Sequence, residues 1–362
     1  MRILWFNWRD IKHPEAGGAE VLTHEVMVRL AKAGHEMTLF CPSIPNGLKK
    51  EEIDGVEIIR SGGKYSVYKK AREFYNMNRK NYDFVIDEIN AKPFLSPKIV
   101  SGVPMLALFH QLIHKEWFYE VPFPINYICY YYLERKWLSI HKNTPTITVS
   151  ASSERDLKEY GFKRVFTVPM GLSVKPLENI QEKGNAPTIV FIGRLKRHKL
   201  PDHALRAFVL IKEKFPDSKM WVIGDGIMLD ELKKMNIKDV TFYGHIENEL
   251  KYDLLKKAHV VLMPSIREGW GLVVTEANAM GTPVVACNVP GLQDSIIDGK
   301  TGILLKENSP QNLAQTTISL LNDPNILKKY SSEALAYSKN FSWDNTATAF
   351  NKIIKDVNSH LE

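Results

Sequence analysis

Residues 260–291, VVLMPSIREGWGLVVTEANAMGTPVVACNVPG, constrain the fold more than any other stretch. Val260 to Met263 is a short apolar run stopped by Pro264, and it reads as a strand. A polar turn, Ser265 to Glu268, leads into Gly269-Trp270-Gly271, after which Leu272, Val273, Val274, Ala277 and Met280 recur at helical spacing. Gly281-Thr282-Pro283 ends that helix, and Val284 to Cys287 is the next strand. The stretch is therefore a βαβ unit whose loop enters its helix through two glycines. Such a helix start offers unpaired N–H groups and the positive end of a dipole, and so suits an anion. Glu268 stands at the mouth of the turn. Glu276 lies two turns into the helix, about where a ribose would lie if a pyrophosphate sat on the N-terminus. A glycine-rich loop with two solvated acids is the plainer alternative.

Elsewhere the same alternation repeats. Arg2 to Phe6 is a strand, a helical pattern runs from Ala19 to Gly34, and His35 to Cys41 is a second strand. Gly17-Gly18-Ala19-Glu20 thus lies where backbone can approach a phosphate at a helix start, although no GxGxxG follows the strand. Val56 to Arg60, Phe84 to Asp87 and Pro104 to Phe109 read as further strands, the last ending at His110. A histidine at the carboxyl end of a parallel strand sits where such sheets bind ligands. Residues 117–142 are dense in aromatics beside Arg135, Lys136 and Lys142. They read as a helix half buried against the sheet, or as an interfacial surface suited to a lipid headgroup layer. Thr146 to Ser150 is a strand, Ser152 or Ser153 caps the next helix, and Val165 to Pro169 closes the series.

Residues 173–187, with two prolines and no apolar period, read as a linker. Thr188 to Ile192 then opens a second series and runs into Gly193-Arg194-Leu195-Lys196-Arg197-His198-Lys199. Arg194 and Lys199 there could clamp a diphosphate and stabilise a departing phosphate. Gly224-Asp225-Gly226 and Gly244-His245-Ile246 follow two further strands, Lys219 to Gly224 and Val240 to Tyr243. The pattern predicts an α/β chain of two doubly wound, Rossmann-like domains facing each other across a cleft. Residues 1–172 form the first domain, 188–343 the second, and a last amphipathic helix, about 344–362, follows Phe341-Ser342-Trp343.

Composition narrows the class. Apolar content of 44% and charged content of 25% are those of a soluble globular protein. Cys41, Cys129 and Cys287 are odd in number and lack metal-ligand spacing, which points to a reducing compartment without a zinc site. Charges crowd the first apolar run too closely for a signal peptide, and no run of 18 apolar residues exists to span a bilayer. A cytoplasmic protein is expected. The net charge of +7 allows attraction to anionic lipid at the inner face of the membrane. No nucleic-acid motif accompanies that charge.

Taken together these motifs resemble a retaining glycosyltransferase of the GT-B fold, in family four. Gly17-Gly18-Ala19-Glu20 matches the family's N-terminal glycine turn, and His110 a histidine near the donor sugar. Gly193-Arg194-Leu195 with Lys199 matches the basic pair on the pyrophosphate, and Glu268 to Glu276 the Glu-x7-Glu motif. The resemblance implies that Glu268 contacts the transferred sugar, Glu276 binds the ribose, and the backbone of Gly269, Gly271, Leu272 and Val273 holds phosphate. It also implies a final helix that returns to the N-terminal domain. Gln111 follows His110 where relatives carry an acid, Leu200 follows Lys199 where glycine is frequent, and Trp270 replaces phenylalanine.

The activity implied is transfer of a hexose from a UDP- or GDP-linked sugar to a hydroxyl of a saccharide acceptor, free or lipid-linked. His110, Glu268, Arg194 and Lys199 would be catalytic. Gly17, Gly18, Gly193, Gly224, His245 and Ile246 would join the other donor-binding residues, with loops near His245 and Pro264 reading the base. Front-face attack would pass the acceptor proton to the leaving phosphate. No cofactor and no essential metal is expected, since no Asp-x-Asp motif is present to hold Mg²⁺. A GT-B sugar-nucleotide epimerase and a non-catalytic nucleotide-sugar-binding module are the near alternatives. A Rossmann oxidoreductase fits poorly, because Cys41 rather than an acid ends the second strand.

Overall fold

Runs such as Ile3–Phe6 and Val260–Met263, buried at every position, need cover on both faces, which a parallel sheet between helices supplies. The computed structural model describes residues 1–359 and contains two such sheets. The chain divides into two units. The first comprises Met1–Trp117, Phe123–Gly171 and the chain from Ser342; the second comprises Phe118–Pro122 and Leu172–Phe341.

The first sheet has eight strands: β1 (Arg2–Phe6), β2 (Glu36–Cys41), β3 (Lys50–Ile53), β4 (Val56–Arg60), β5 (Phe84–Ile89), β6 (Met105–Phe109), β7 (Thr146–Thr148) and β8 (Val165–Thr167). Their order is β3-β4-β2-β1-β5-β6-β7-β8. All pairs are parallel except β3 with β4. Chain direction across the sheet reverses between β1 and β5, where Ile3 pairs with Phe84. That is the point at which open α/β sheets bind ligands, outside the carboxyl strand ends.

The second sheet has six parallel strands: β9 (Thr188–Ile192), β10 (Lys219–Ile223), β11 (Val240–Gly244), β12 (Val260–Met263), β13 (Val284–Cys287) and β14 (Gly302–Leu305). Their order, β11-β10-β9-β12-β13-β14, is that of a dinucleotide-binding fold, with its switch point between β9 and β12. Apolar clusters cover both faces: Phe191, Phe208 and Leu313 lie in one, Val190, Val274 and Leu292 in the other.

Three readings need correction. Strand β3 was not expected, yet Asp54 and Gly55, with φ of 50° and 81°, make the Asp-Gly hairpin turn that joins it to β4. Ser150, not Ser152 or Ser153, caps the helix Ala151–Glu159, accepting from the Ser153 N–H at 3.3 Å. Residues 117–142 are not one helix. They form Trp117–Glu120, Ile125–Ile128, a π-helical turn Cys129–Leu133, and Glu134–His141, because Pro122 and Pro124 cannot continue the first turn.

The last helix, Trp343–Ser359, lies in the first unit; residues 360–362 fall outside the described residues. Phe350 stacks on Trp5 at 6.1 Å, and Trp343 packs so closely on Gly171 that a Cβ there would meet it at 2.4 Å. Residues 173–187 carry no helix or strand, but they are moored to the second unit. Leu177 donates to the Ala279 carbonyl, while the buried Lys183 Nζ donates to Thr282 Oγ1 (2.8 Å) and to the Ala258 carbonyl at a helix end.

Burial lowers the Lys183 pKa to about 7. Between there and the free-lysine value of about 10.4, the unfolded chain holds a proton that the folded chain lacks, so this residue's contribution to stability rises with pH. Wild type should therefore gain urea resistance relative to Lys183→Met as pH rises through that window. A difference between the two that stays flat with pH would mean the buried ammonium remains charged.

Candidate functional site

In the second unit the loops leaving β9, β10 and β11 are laced together by backbone. Gly193 N–H donates to the Ile223 carbonyl (3.0 Å), Leu195 N–H to Asp225 O (2.8 Å) and Gly224 N–H to Gly244 O (2.8 Å). Glycine is required at this seam: a Cβ on Gly224, whose φ is +127°, would fall 2.1 Å from the Gly193 oxygen. The lacing fixes the loop that carries Arg194, which is exposed. Beyond it a 3₁₀ turn, Arg197–Lys199, ends at Leu200 with φ +48°. A side chain there costs about 1–2 kcal/mol, a physical reason for glycine at that position.

Across the switch point, the Ile266 N–H donates to the His198 carbonyl at 3.0 Å and fastens the β12 loop to the basic loop. Lys199 Nζ then meets Glu268 Oε1 at 2.5 Å, and Ser265 Oγ donates to the same oxygen at 2.8 Å. The two charged side chains are 15% and 12% exposed. Burial pushes the Glu268 carboxyl up, but the Lys199 charge and the two hydrogen bonds outweigh it and leave it below the usual range. Gly291 holds the Glu268 backbone from the other side. Its φ is +84°, and a Cβ would lie 2.1 Å from the Glu268 oxygen.

Gly271, in the left-handed region at φ +84°, opens the helix Leu272–Ala279, with Gly269, Leu272 and Val273 half-buried around the turn. Glu276 is buried further along, accepting from Lys251 Nζ at 2.8 Å and from Tyr252 Oη at 3.2 Å. Burial and the Glu276 charge together push the Tyr252 hydroxyl pKa up. His245 is exposed after β11, whereas Ile246 packs into the neighbouring apolar cluster. The second unit thus gathers Gly193, Arg194, Lys199, Gly224, Glu268, Gly269, Gly271, Leu272, Val273 and Glu276 along one sheet edge. Among the described residues, no group of three His, Cys, Asp or Glu side chains is placed to hold a metal ion.

Gly17, Gly18 and His110 lie in the first unit, at the carboxyl edge of its sheet. Gly17 caps the helix Gly18–Lys32, and its N–H donates to Glu20 Oε2 at 2.7 Å. Burial raises the Glu20 pKa. At Gly17 the backbone is extended and a Cβ would meet only Glu20 Oε2, at an ordinary 3.7 Å. His110 follows β6, with Nε2 at 2.8 Å from Glu88 Oε1. Nearby, the Asn90 Nδ2 donates to Asn7 Oδ1 at 2.9 Å across the switch point between β1 and β5.

Several of these partners escape the sequence. Lys251 and Tyr252 lie 25 and 24 positions from Glu276, so no local spacing announces them. Glu88 had a signal: a carboxylate pair, Asp87-Glu88, inside the apolar run FVIDEI, which continues as strand to Ile89.

Room for a Cβ separates Gly17, where it would meet only Glu20 Oε2 at 3.7 Å, from Gly291, where it would meet the Glu268 oxygen at 2.1 Å. Gly17→Ala should leave the melting temperature unchanged and weaken diphosphate-sugar binding in calorimetry. Gly291→Ala should lower both, because the Glu268 carbonyl must move. Undiminished binding by Gly17→Ala would remove the diphosphate from that turn.

Two family models match the chain in succession: Glycosyltransferase Family 4 over residues 16–175, and Glycosyl transferases group 1 over residues 176–337. A glycogen synthase of Mycobacterium tuberculosis (strain CDC 1551 / Oshkosh) is 27% identical over 59% of this chain and 54% of its own. A D-inositol 3-phosphate glycosyltransferase of Corynebacterium urealyticum is 35% identical over 45% of this chain and 41% of its own. The matches thus span about half the length of these relatives or less. Among solved structures, sucrose-phosphate synthase of Thermosynechococcus elongatus superposes with a TM-score of 0.82 at 21% identity, covering 98% of both chains. WaaG, a glycosyltransferase involved in lipopolysaccharide biosynthesis, gives 0.76 at 17% over 97% of this chain and 99% of its own. HepE of Anabaena, solved with UDP and glucose, gives 0.75 at 16% over 98% and 99%. At these identities the structures speak for the fold, and the two successive family matches speak for the family. The chain belongs to the family-four glycosyltransferases of the GT-B fold.

Proposed function

We propose that this protein transfers a hexose, with retention, from a UDP- or GDP-linked sugar to a hydroxyl of a saccharide acceptor. The observation that carries the reading is the Lys199–Glu268 pair at the switch point of the second sheet, beside the helix start at Leu272. A diphosphate entering there meets Lys199, Arg194 and the positive helix end. It competes for the Lys199 ammonium, and the Glu268 carboxylate becomes available to sugar hydroxyls. Glu276, already holding Lys251 and Tyr252, accepts from the ribose. HepE, solved with UDP-glucose, supports a uridine donor.

In the transfer step the bond from the anomeric carbon to the diphosphate oxygen breaks. The acceptor oxygen bonds to that carbon on the same face, and its proton passes to the departing phosphate. The cations and the helix dipole stabilise the charge that develops on that phosphate. No cofactor takes part, and the reaction is metal-independent. Glu268→Ala should lower transfer sharply while leaving affinity for free UDP or GDP nearly intact, as measured by product formation and calorimetry. Equal loss of both would contradict the assignment of Glu268 to the sugar. Epimerised donor formed without any acceptor would favour the epimerase.

The acceptor we infer is lipid-linked, at the cytoplasmic face of a membrane. In the first unit Phe123, Ile125, Tyr127, Ile128, Tyr131 and Tyr132 are exposed, Phe123 and Tyr132 by 77% and 75%. Arg135 and Lys136, also exposed, follow them, while Glu134 is buried and accepts from backbone at Ile113 and His114. Aromatic and cationic side chains together suit an anionic headgroup layer. No helix among the described residues is long and apolar enough to cross a membrane, so contact would be peripheral. Vesicles containing anionic lipid should co-sediment the protein at low salt and release it at high salt. Failure to co-sediment would remove the membrane from the proposal.

A further inference from the structure

Glu88 is 1% exposed, and three donors converge on its carboxylate. Trp5 Nε1 lies 2.8 Å and Thr23 Oγ1 2.5 Å from Oε2, while His110 Nε2 lies 2.8 Å from Oε1. The indole N–H can only donate. Trp5 is fully buried and stacked on Phe350, so it cannot turn away. Thr23 accepts from Asn7 Nδ2 at 3.4 Å, which directs its single hydrogen away from Asn7; Ala19 O, at 3.1 Å, is the more distant of its two acceptors. Oε2 is thereby committed to accepting twice, and only Oε1 faces the histidine. The other carboxyl near this cluster is Glu20, on the helix Gly18–Lys32, which feels both Glu88 and Arg9.

We propose that Glu88 is a positioning residue that selects the Nε2–H tautomer of the His110 imidazole, leaving Nδ1 as the ring nitrogen with the lone pair. Nδ1 is then the acceptor that the His110 ring offers to a ligand, while the His110 carbonyl is separately occupied by Ser153 Oγ at 3.3 Å. This use of His110 rests on the glycosyl-transfer reading above; the tautomer rests on the buried cluster alone.

Glu88→Gln makes the distinction sharp because it keeps the shape and turns one acceptor oxygen into a donor. The amide oxygen must take the place facing Trp5 and Thr23, so the NH₂ faces His110 Nε2. That nitrogen must then accept, and the ring proton moves to Nδ1. The experiment is ring ¹⁵N spectroscopy of histidine-labelled full-length protein, with the His110 signal assigned by its loss in His110→Gln. Alongside it, turnover of UDP-glucose or GDP-mannose and affinity for the free nucleoside diphosphate are measured.

The expected result is Nε2–H in wild type and Nδ1–H in Glu88→Gln, with kcat reduced about 100-fold and nucleoside diphosphate affinity and melting temperature retained. The wild-type spectrum needs no variant, so a poorly folding Glu88→Gln leaves the central statement open to refutation. A wild-type ring protonated at Nδ1, or the same tautomer in both proteins, overturns the proposal. So does an inverted tautomer with undiminished kcat. If wild type turns over neither sugar nucleotide, the transfer reading fails while the ring spectra still decide the role of Glu88 as a lock.

Discussion

A carboxylate that is 12% exposed keeps its charge only if something adjacent stabilises it, and Glu268 has Lys199 and Ser265. The rest of the second unit can be understood as the means of bringing that lysine to that carboxylate. They come from loops on opposite sides of the switch point, after β9 and after β12. Gly224 and Gly226 let the loop after β10 press against the loop after β9, and Gly291 lets its own loop fold over Glu268. A left-handed Leu200 tolerates the turn that delivers Lys199. The pair is therefore a specific, largely enclosed arrangement rather than a surface ion pair, whose worth is about 0–1 kcal/mol.

The first unit solves a related problem differently. Glu88 has no lysine; three neutral or titratable donors from β1, the following helix and the end of β6 satisfy it. Each unit thus places a buried carboxylate at or beside its sheet's switch point, one neutralised by a cation and one held by hydrogen bonds. A cation-held carboxylate can be released when an anion competes for the cation. A hydrogen-bonded one stays in place and fixes its partners, which suits an orienting role.

Much of this was legible in the sequence, because the signals were local. Apolar runs ended by Gly or Pro gave the strands near their observed limits, and glycine turns marked the carboxyl edge of both sheets. The motif from Glu268 to Glu276 lies within one βαβ unit, so its spacing alone placed both acids. What escaped depended on distance along the chain or on competing local chemistry. Glu88 pairs with Trp5 across 83 positions, and Lys251 reaches Glu276 from a different helix. The hairpin at Asp54-Gly55 carried its own signal, but the charged strand Lys50–Ile53 lacks the apolar pattern of the other strands. In 117–142 the aromatic density suggested continuity that two prolines forbid.

On the proposed function, a nucleoside diphosphate binds at the switch point of the second unit. Calorimetric titration of the full-length protein with UDP, GDP, ADP and NAD, first in EDTA and then with Mg²⁺, tests it most directly. A clear preference for UDP or GDP that EDTA does not abolish is expected. Binding of NAD, or silence from every diphosphate, would contradict it.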